Sequence, residues 1–167
     1  KWITHIYHNR QADDFGRHLK VLEWVAFCHS VKLDHRPARL NKVFLWQHLS
    51  AYQLQQTNFV TRLAELLAAH PDVSPNSLEL EVLETSALSD ISQVAAVMNA
   101  CKALGVHFAI DDFGTGYSSL TYLRRLPASL IKIDQSFVRD MLNNADDAAI
   151  VAGVISLAKA FQREVIA

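Results

Sequence analysis

Three short apolar runs, residues 78–84, 106–111 and 130–134, each read as a β-strand that ends in charge. The stretches between them have helical periodicity. Ile91, Val94, Met98 and Cys101 recur at helical steps, Ser89 or Asp90 can cap that helix, and Gly105 follows Leu104 where a left-handed C-cap belongs. Strand–helix alternation brings each strand back parallel to the last through a right-handed crossover. This pattern narrows the fold to α/β with a parallel sheet. Connections are short and the strands lie roughly twenty to thirty residues apart, so a (β/α)8 TIM-like barrel fits at least as well as an open sheet. A whole barrel takes about 250 residues, and this chain of 167 holds only part of one.

Other elements follow from the same reasoning. Phe59, Val60, Leu63, Leu66 and Leu67 predict a helix closed by Pro71, with a turn at Pro75-Asn76. A short helix over 118–125 precedes Pro127. A longer helix over 145–161 carries Ile150, Val151, Val154, Leu157, Ala158 and Phe161 inward, with Asp146 and Asp147 in its first turn, where the helix dipole favours them. Residues 165–167 read as the start of a fourth strand.

Residues 1–48 do not share this order and remain unassigned; the patterned segment is 49–167. The first segment holds six of the eight histidines (His5, His8, His18, His29, His35, His48), all three tryptophans, and eight Lys/Arg against four Asp/Glu. The rest has eight against thirteen, so the net charge of −1 joins two unlike parts. Within 1–48 only Leu19, Val21, Leu22, Trp24, Val25 and Phe27 suggest a short buried helix. His5 and His8 lack a third ligand at suitable spacing, and acids interspersed among the bases argue against a nucleic-acid polymer as partner.

Composition excludes several classes. Cys28 and Cys101 form neither a CxxC pair nor a disulfide framework. The apolar stretch 148–158 is too short to cross a bilayer, so no membrane contact is expected within the chain. No signal peptide opens the sequence and its first methionine is Met98. A soluble, cytoplasmic domain cut from a longer protein, itself free to be membrane-anchored, is the expectation.

The chemistry lies at the strand ends, which converge on one mouth in a parallel barrel. Glu81 and Glu84, Asp111 and Asp112, and Lys132 and Asp134 stand there, and alternation with Leu80, Val82, Ile131 and Ile133 turns the charged set toward the barrel axis. Converging carboxylates repel unless a cation sits among them, and oxygen ligands suit Mg²⁺ or Mn²⁺. Adjacent Asp111 and Asp112 can serve two ions, the arrangement used for phosphoester hydrolysis, with Lys132 on the attacking water or the phosphate charge. Strand-end acids also serve as helix caps or surface ion pairs, and it is the joint pattern that favours a metal site.

That joint pattern resembles the EAL domain. The resemblance is carried by Leu78-Glu79-Leu80-Glu81-Val82-Leu83-Glu84-Thr85-Ser86, by Asp111-Asp112-Phe113-Gly114-Thr115-Gly116-Tyr117-Ser118-Ser119-Leu120, by Lys132-Ile133-Asp134-Gln135-Ser136-Phe137-Val138, and by Ser50-Ala51-Tyr52-Gln53-Leu54. It implies a modified (β/α)8 barrel that hydrolyses cyclic di-GMP to linear pGpG with Mg²⁺ or Mn²⁺ in bacterial second-messenger signalling. It further implies Glu81 and Asp111 as metal ligands, Asp111 bridging two ions, Asp112 as a ligand of the second ion, and Lys132 at the catalytic water. Glu84 would anchor the loop after Asp112, the loop that couples dimerisation to activity. Implied partners are cyclic di-GMP, a second copy through the barrel, and attached GGDEF or sensory domains.

The sequence also departs from that family. The Glu-Ala-Leu tripeptide is absent, and the metal-binding asparagine of Asn-Leu-Ser or Asn-Ile-Ser is replaced in His48-Leu49-Ser50. The family's Glu-Gly-Val-Glu would begin with the residue after Ala167. Imidazole is a poor ligand for Mg²⁺, so His48 is a doubtful metal position. The resemblance makes the Glu-Ala-Leu glutamate and the first glutamate of Glu-Gly-Val-Glu metal ligands too, so three expected metal positions are missing or altered and no measurable turnover is expected of this chain. The alternative is a non-hydrolytic EAL module that binds cyclic di-GMP or a protein partner. Codons for Gln47-His48-Leu49 read one base later include Asn-Ile-Ser, so residues 1–48 are expected to be out of frame or degenerate.

Overall fold

A computed structural model of the chain describes residues 45–49, 51–71, 73–84, 90–116 and 120–167. The expected helix around Trp24, and His5 and His8, lie outside the described residues. Five strands form one sheet: β1 (Leu45–Leu49), β2 (Leu78–Leu83), β3 (His107–Phe113), β4 (Leu130–Ile133) and β5 (Glu164–Ile166). Every neighbouring pair is parallel and the spatial order is the chain order. A doubly wound sheet reverses its strand order at a switch point, whereas a barrel adds each strand beside the last. The described strands follow the barrel rule.

The connections are helical: α1 (Ala51–Leu54) and α2 (Phe59–Ala69), then α3 (Ile91–Ala103), α4 (Leu120–Arg125), α5 (Gln135–Asp140) and α6 (Ala145–Ala160). Val82, Phe108, Ile110 and Ile131 project from the sheet into the helix layer and meet Leu63, Val94, Met98, Leu123, Val154 and Ala158 in one apolar core. Each fully buried side chain of this size contributes about 1.5–3 kcal/mol through removal from water. The helices cover this face of the sheet, and the other face carries Glu81, Asp111 and Lys132 beside the apolar Ala109 and Leu130.

Local signals place the helix ends. Asp90 Oδ1 accepts from the Gln93 N–H at 3.1 Å and caps α3. At its other end Gly105 N donates to Lys102 O and Val106 N to Cys101 O, the paired bonds of a Schellman turn, with Gly105 at φ +91°. Asp134 lies just beyond β4, and its carboxylate accepts from Ser136 N at 2.8 Å and from the Ser136 hydroxyl, capping α5. The helix-cap alternative thus describes Asp134, which the alternation had set among the axis-facing charges.

Four further features differ from the patterning. β1 straddles the boundary at residue 48, and α5 was not anticipated. Ile150, expected inward on α6, is 37% exposed, while Val151, Val154 and Ala158 carry the buried face. Val165 falls in the fifth described strand rather than a fourth, because β1 precedes the three runs.

Candidate active site

The polar face of the sheet is built by period-two alternation from neighbouring strands. Glu81 is paired in register with Ala109 on β3, and Ala109 with Leu130 on β4. Lys132, two residues beyond Leu130, shares that face. Ala109 is small, fully buried, and lies between the two charged strands, so the lysine stem can cross β3 over a methyl group. Lys132 Nζ reaches Glu81 Oε1 at 2.6 Å and Asp111 Oδ1 at 3.1 Å. Glu81 is only 1% exposed, and a buried carboxylate without a countercharge is costly. Burial alone would lower the Lys132 pKa, but hydrogen bonding and charge from Glu81, then from Asp111, outweigh it and hold the ammonium above the ordinary lysine value of 10.5.

Asp111 and Asp112 occupy a β-bulge. Between β3 and β4 the register runs from Ile110↔Ile131 to Phe113↔Ile133, three steps on one strand against two on the other. The extra residue returns Phe113, 1% exposed, to the helix-side layer already entered by Ile110. In unbroken alternation Asp112 would take that apolar position. Instead its backbone adopts φ +53°, in the left-handed region that Asp tolerates better than most residues. The Thr115 hydroxyl and N–H both donate to Asp112 O, at 2.9 and 3.4 Å, closing the turn.

Glu84 braces the same turn from below. Its Oε2 accepts from Gly114 N at 3.0 Å and from Gly116 N at 3.2 Å, and its own N–H donates to Asp111 O at 3.2 Å. The approach needs glycine, since a Cβ on Gly116 would lie 3.1 Å from Glu84 Cδ. Gly114, at φ +105°, rests against the Phe137 ring, 3.0 Å from where its Cβ would stand.

The structure thus gathers Glu81, Asp111 and Lys132 into one ion-paired cluster, sets Asp112 beside it in the bulge, and places Glu84 under the following loop. His48 is the register partner of Glu81 on β1. Sequence patterning did not anticipate the bulge, the Ala109 gap or the Phe137 contact. The adjacent Asp-Asp before a Phe-Gly pair was the available signal for the bulge.

Among the described residues, no group of three or more His, Cys, Asp or Glu side chains is gathered tightly enough to hold a metal ion. The donor chemistry nevertheless fits a hard divalent cation. Two carboxylates at the sheet mouth already accommodate one positive group, and Mg²⁺ typically takes one or two carboxylates and completes its shell with waters and substrate phosphates.

The EAL domain family model matches residues 25–167, beginning upstream of the patterned segment. The bifunctional diguanylate cyclase/cyclic di-GMP phosphodiesterase MucR of Pseudomonas aeruginosa is 36% identical over 160 residues, covering 93% of this chain and 23% of that protein. The chain therefore spans about a quarter of the length of such curated relatives. The solved PaMucR phosphodiesterase, in its c-di-GMP complex, superposes with a TM-score of 0.73 at 35% identity, covering 90% of this chain and 61% of that one. The manganese/cy-diGMP complex of Klebsiella pneumoniae BlrP1 gives a TM-score of 0.69 at 30% identity, covering 89% and 37%. No helix among the described residues is long and apolar enough to cross a membrane.

Proposed function

The chain belongs to the EAL domain family, and we propose that it is the catalytic segment of a cyclic di-GMP phosphodiesterase that opens the cyclic dinucleotide to linear pGpG. The observation that carries this reading is the convergence of Glu81, Asp111 and Lys132 at neighbouring strand ends, within 2.6 and 3.1 Å of one another through the ammonium. The named activities of MucR and the ligands of the solved relatives support the substrate class.

In this reading Glu81, Asp111 and Asp112 would hold Mg²⁺ or Mn²⁺, each ion taking one or two of these carboxylates with waters and substrate phosphates completing its shell. The ion, when bound, supplies Lewis-acid stabilisation of phosphate charge and lowers the pKa of water. Lys132 orients the attacking water and offsets charge on the phosphoryl oxygens. Water adds to one phosphorus, one ring P–O bond breaks, and the departing sugar oxygen takes a proton. Glu84 keeps the 114–116 turn in place, so that Asp112 holds its left-handed geometry throughout. The parent protein acts in the bacterial cytoplasm, as a homodimer, with GGDEF or sensory domains attached.

His48, standing where the family uses asparagine, and the absence of the Glu-Ala-Leu glutamate leave hydrolysis impaired. The test is chromatographic detection of pGpG from cyclic di-GMP with Mn²⁺ or Mg²⁺, alongside calorimetric titration of the dinucleotide. Expected results are cyclic di-GMP binding with little or no turnover by the chain itself, only a partial gain of turnover in His48→Asn because the Glu-Ala-Leu glutamate is still absent, and loss of that gain when Asp111→Ala is added. Failure of both the chain and His48→Asn to bind or cleave cyclic di-GMP would refute the reading.

A further inference from the structure

The lysine that bridges the two carboxylates has a consequence for metal loading. Glu81 Oε1 and Asp111 Oδ1 both face the same ammonium, at 2.6 and 3.1 Å. Mg²⁺ bonds carboxylate oxygens at about 2.0–2.1 Å, so an ion of this kind on these oxygens would lie within a few ångströms of Nζ. Two like-charged centres that close, in a partly desolvated site, repel each other strongly.

The carboxylates and the ammonium also differ in freedom. Glu81 is sunk in the sheet with its side chain 1% exposed, and Asp111 is held in the bulge. Lys132 is 14% exposed against 10% for Asp111, and what sets it apart is its flexible four-carbon stem. When one cation must leave, the mobile one leaves. Without either cation, two buried or nearly buried carboxylates would lose the countercharge they share.

We propose that the Lys132 ammonium is the resident cation of the Glu81–Asp111 pair in the metal-free protein, that a divalent ion must displace it, and that Lys132 thereby sets the metal affinity of the site. This rests on the reading of Glu81 and Asp111 as metal ligands. The lysine acts as an internal competitor: it keeps the site folded before loading and raises the ion concentration needed to fill it. Once displaced from the carboxylate oxygens, the ammonium stands at the mouth, where the proposed function puts it on the attacking water.

The test uses Mn²⁺ alone as probe, titrated calorimetrically into the full chain and into Lys132→Met and Asp111→Asn. The expected result is Mn²⁺ binding about ten-fold or more tighter in Lys132→Met than in the unaltered chain, abolished in Asp111→Asn, with a lower metal-free melting temperature in Lys132→Met that Mn²⁺ restores. A second measurement needs no variant. Acetylation of Lys132 by an amine reagent, followed by peptide mass spectrometry, should accelerate several-fold when Mn²⁺ is added to the unaltered chain. Equal or weaker Mn²⁺ binding in Lys132→Met, or an unchanged acetylation rate while Asp111→Asn still loses the ion, overturns the proposal and leaves the metal-ligand reading standing. Absence of Mn²⁺ binding in the unaltered chain and in Lys132→Met overturns both.

Discussion

Replacing Glu84 tests whether one buried carboxylate holds the turn that follows the Asp-Asp pair. Both hydrogen bonds from the turn end on the same oxygen, Oε2, at 3.0 Å from Gly114 N and 3.2 Å from Gly116 N. A hydrogen bond to a charged group contributes about 1.5–3 kcal/mol net. The glycines are half-buried, so their freed N–H groups regain some water, and the lower end of that range applies. Glu84→Ala should then cost about 3 kcal/mol, a large share of the ~5–15 kcal/mol that stabilises a typical domain. Glu84→Gln retains a neutral acceptor oxygen, worth about 0.5–1.5 kcal/mol per bond, and should cost about half as much. Urea denaturation measures the global effect, and amide hydrogen exchange at Gly114 and Gly116 measures the local one. About 3 kcal/mol corresponds to exchange roughly a hundred-fold faster at those two amides. If Glu84→Ala leaves both protection factors unchanged, the brace does not operate. If the glutamine variant matches the alanine variant, the charge contributes nothing.

Other outcomes follow from neighbouring geometry. Gly114→Ala must place a Cβ at φ +105° and 3.0 Å from Phe137 Cε2, and should lower stability by about 1–3 kcal/mol, whereas Gly153→Ala, mid-helix with nothing within 4 Å, should raise it by about 0.5–1 kcal/mol; urea midpoints decide both signs. Ala109→Leu fills the gap that the Lys132 stem crosses, and should abolish the Lys132–Glu81 contact and weaken Mn²⁺-dependent turnover of the His48→Asn chain, read by structure determination and pGpG release. The Lys132 ammonium has a higher pKa folded than unfolded, so its stabilising contribution is complete below 10.5 and is lost as pH rises through the raised value. Unfolding measured from roughly pH 9 to 12 should show the unaltered chain losing its advantage over Lys132→Met at the alkaline end; a constant difference would contradict the ion pair.

Much of the fold could be read from residues alone, because the signals are local. Asp90 and Gly105 mark the ends of α3 through backbone capping and a positive φ, and Val94, Met98 and Cys101 reveal its buried face by spacing. Strand-end charge identified Glu81, Asp111 and Lys132 as belonging to one sheet face. Less was apparent around β1, where Leu45-Trp46-Gln47-His48-Leu49 mixes large apolar and polar residues on both parities. Ile150 was misplaced because α6 is apolar almost all round, and periodicity then gives no unique inner face.

The sequence by itself determined most of the element types, though not β1 or α5, together with the parallel alternation and which side chains carry charge at the sheet mouth, since each depends on periodicity or on residues a few positions apart. Tertiary structure alone decided that Lys132 spans β3 to meet Glu81, 51 residues away, and that Glu84 takes the N–H groups of Gly114 and Gly116, 30 and 32 residues on. It also decided that Asp134 caps a helix while Asp111 faces the lysine. Register, the bulge and the small Ala109 determine these contacts, and each is a relation between strands that no one strand contains.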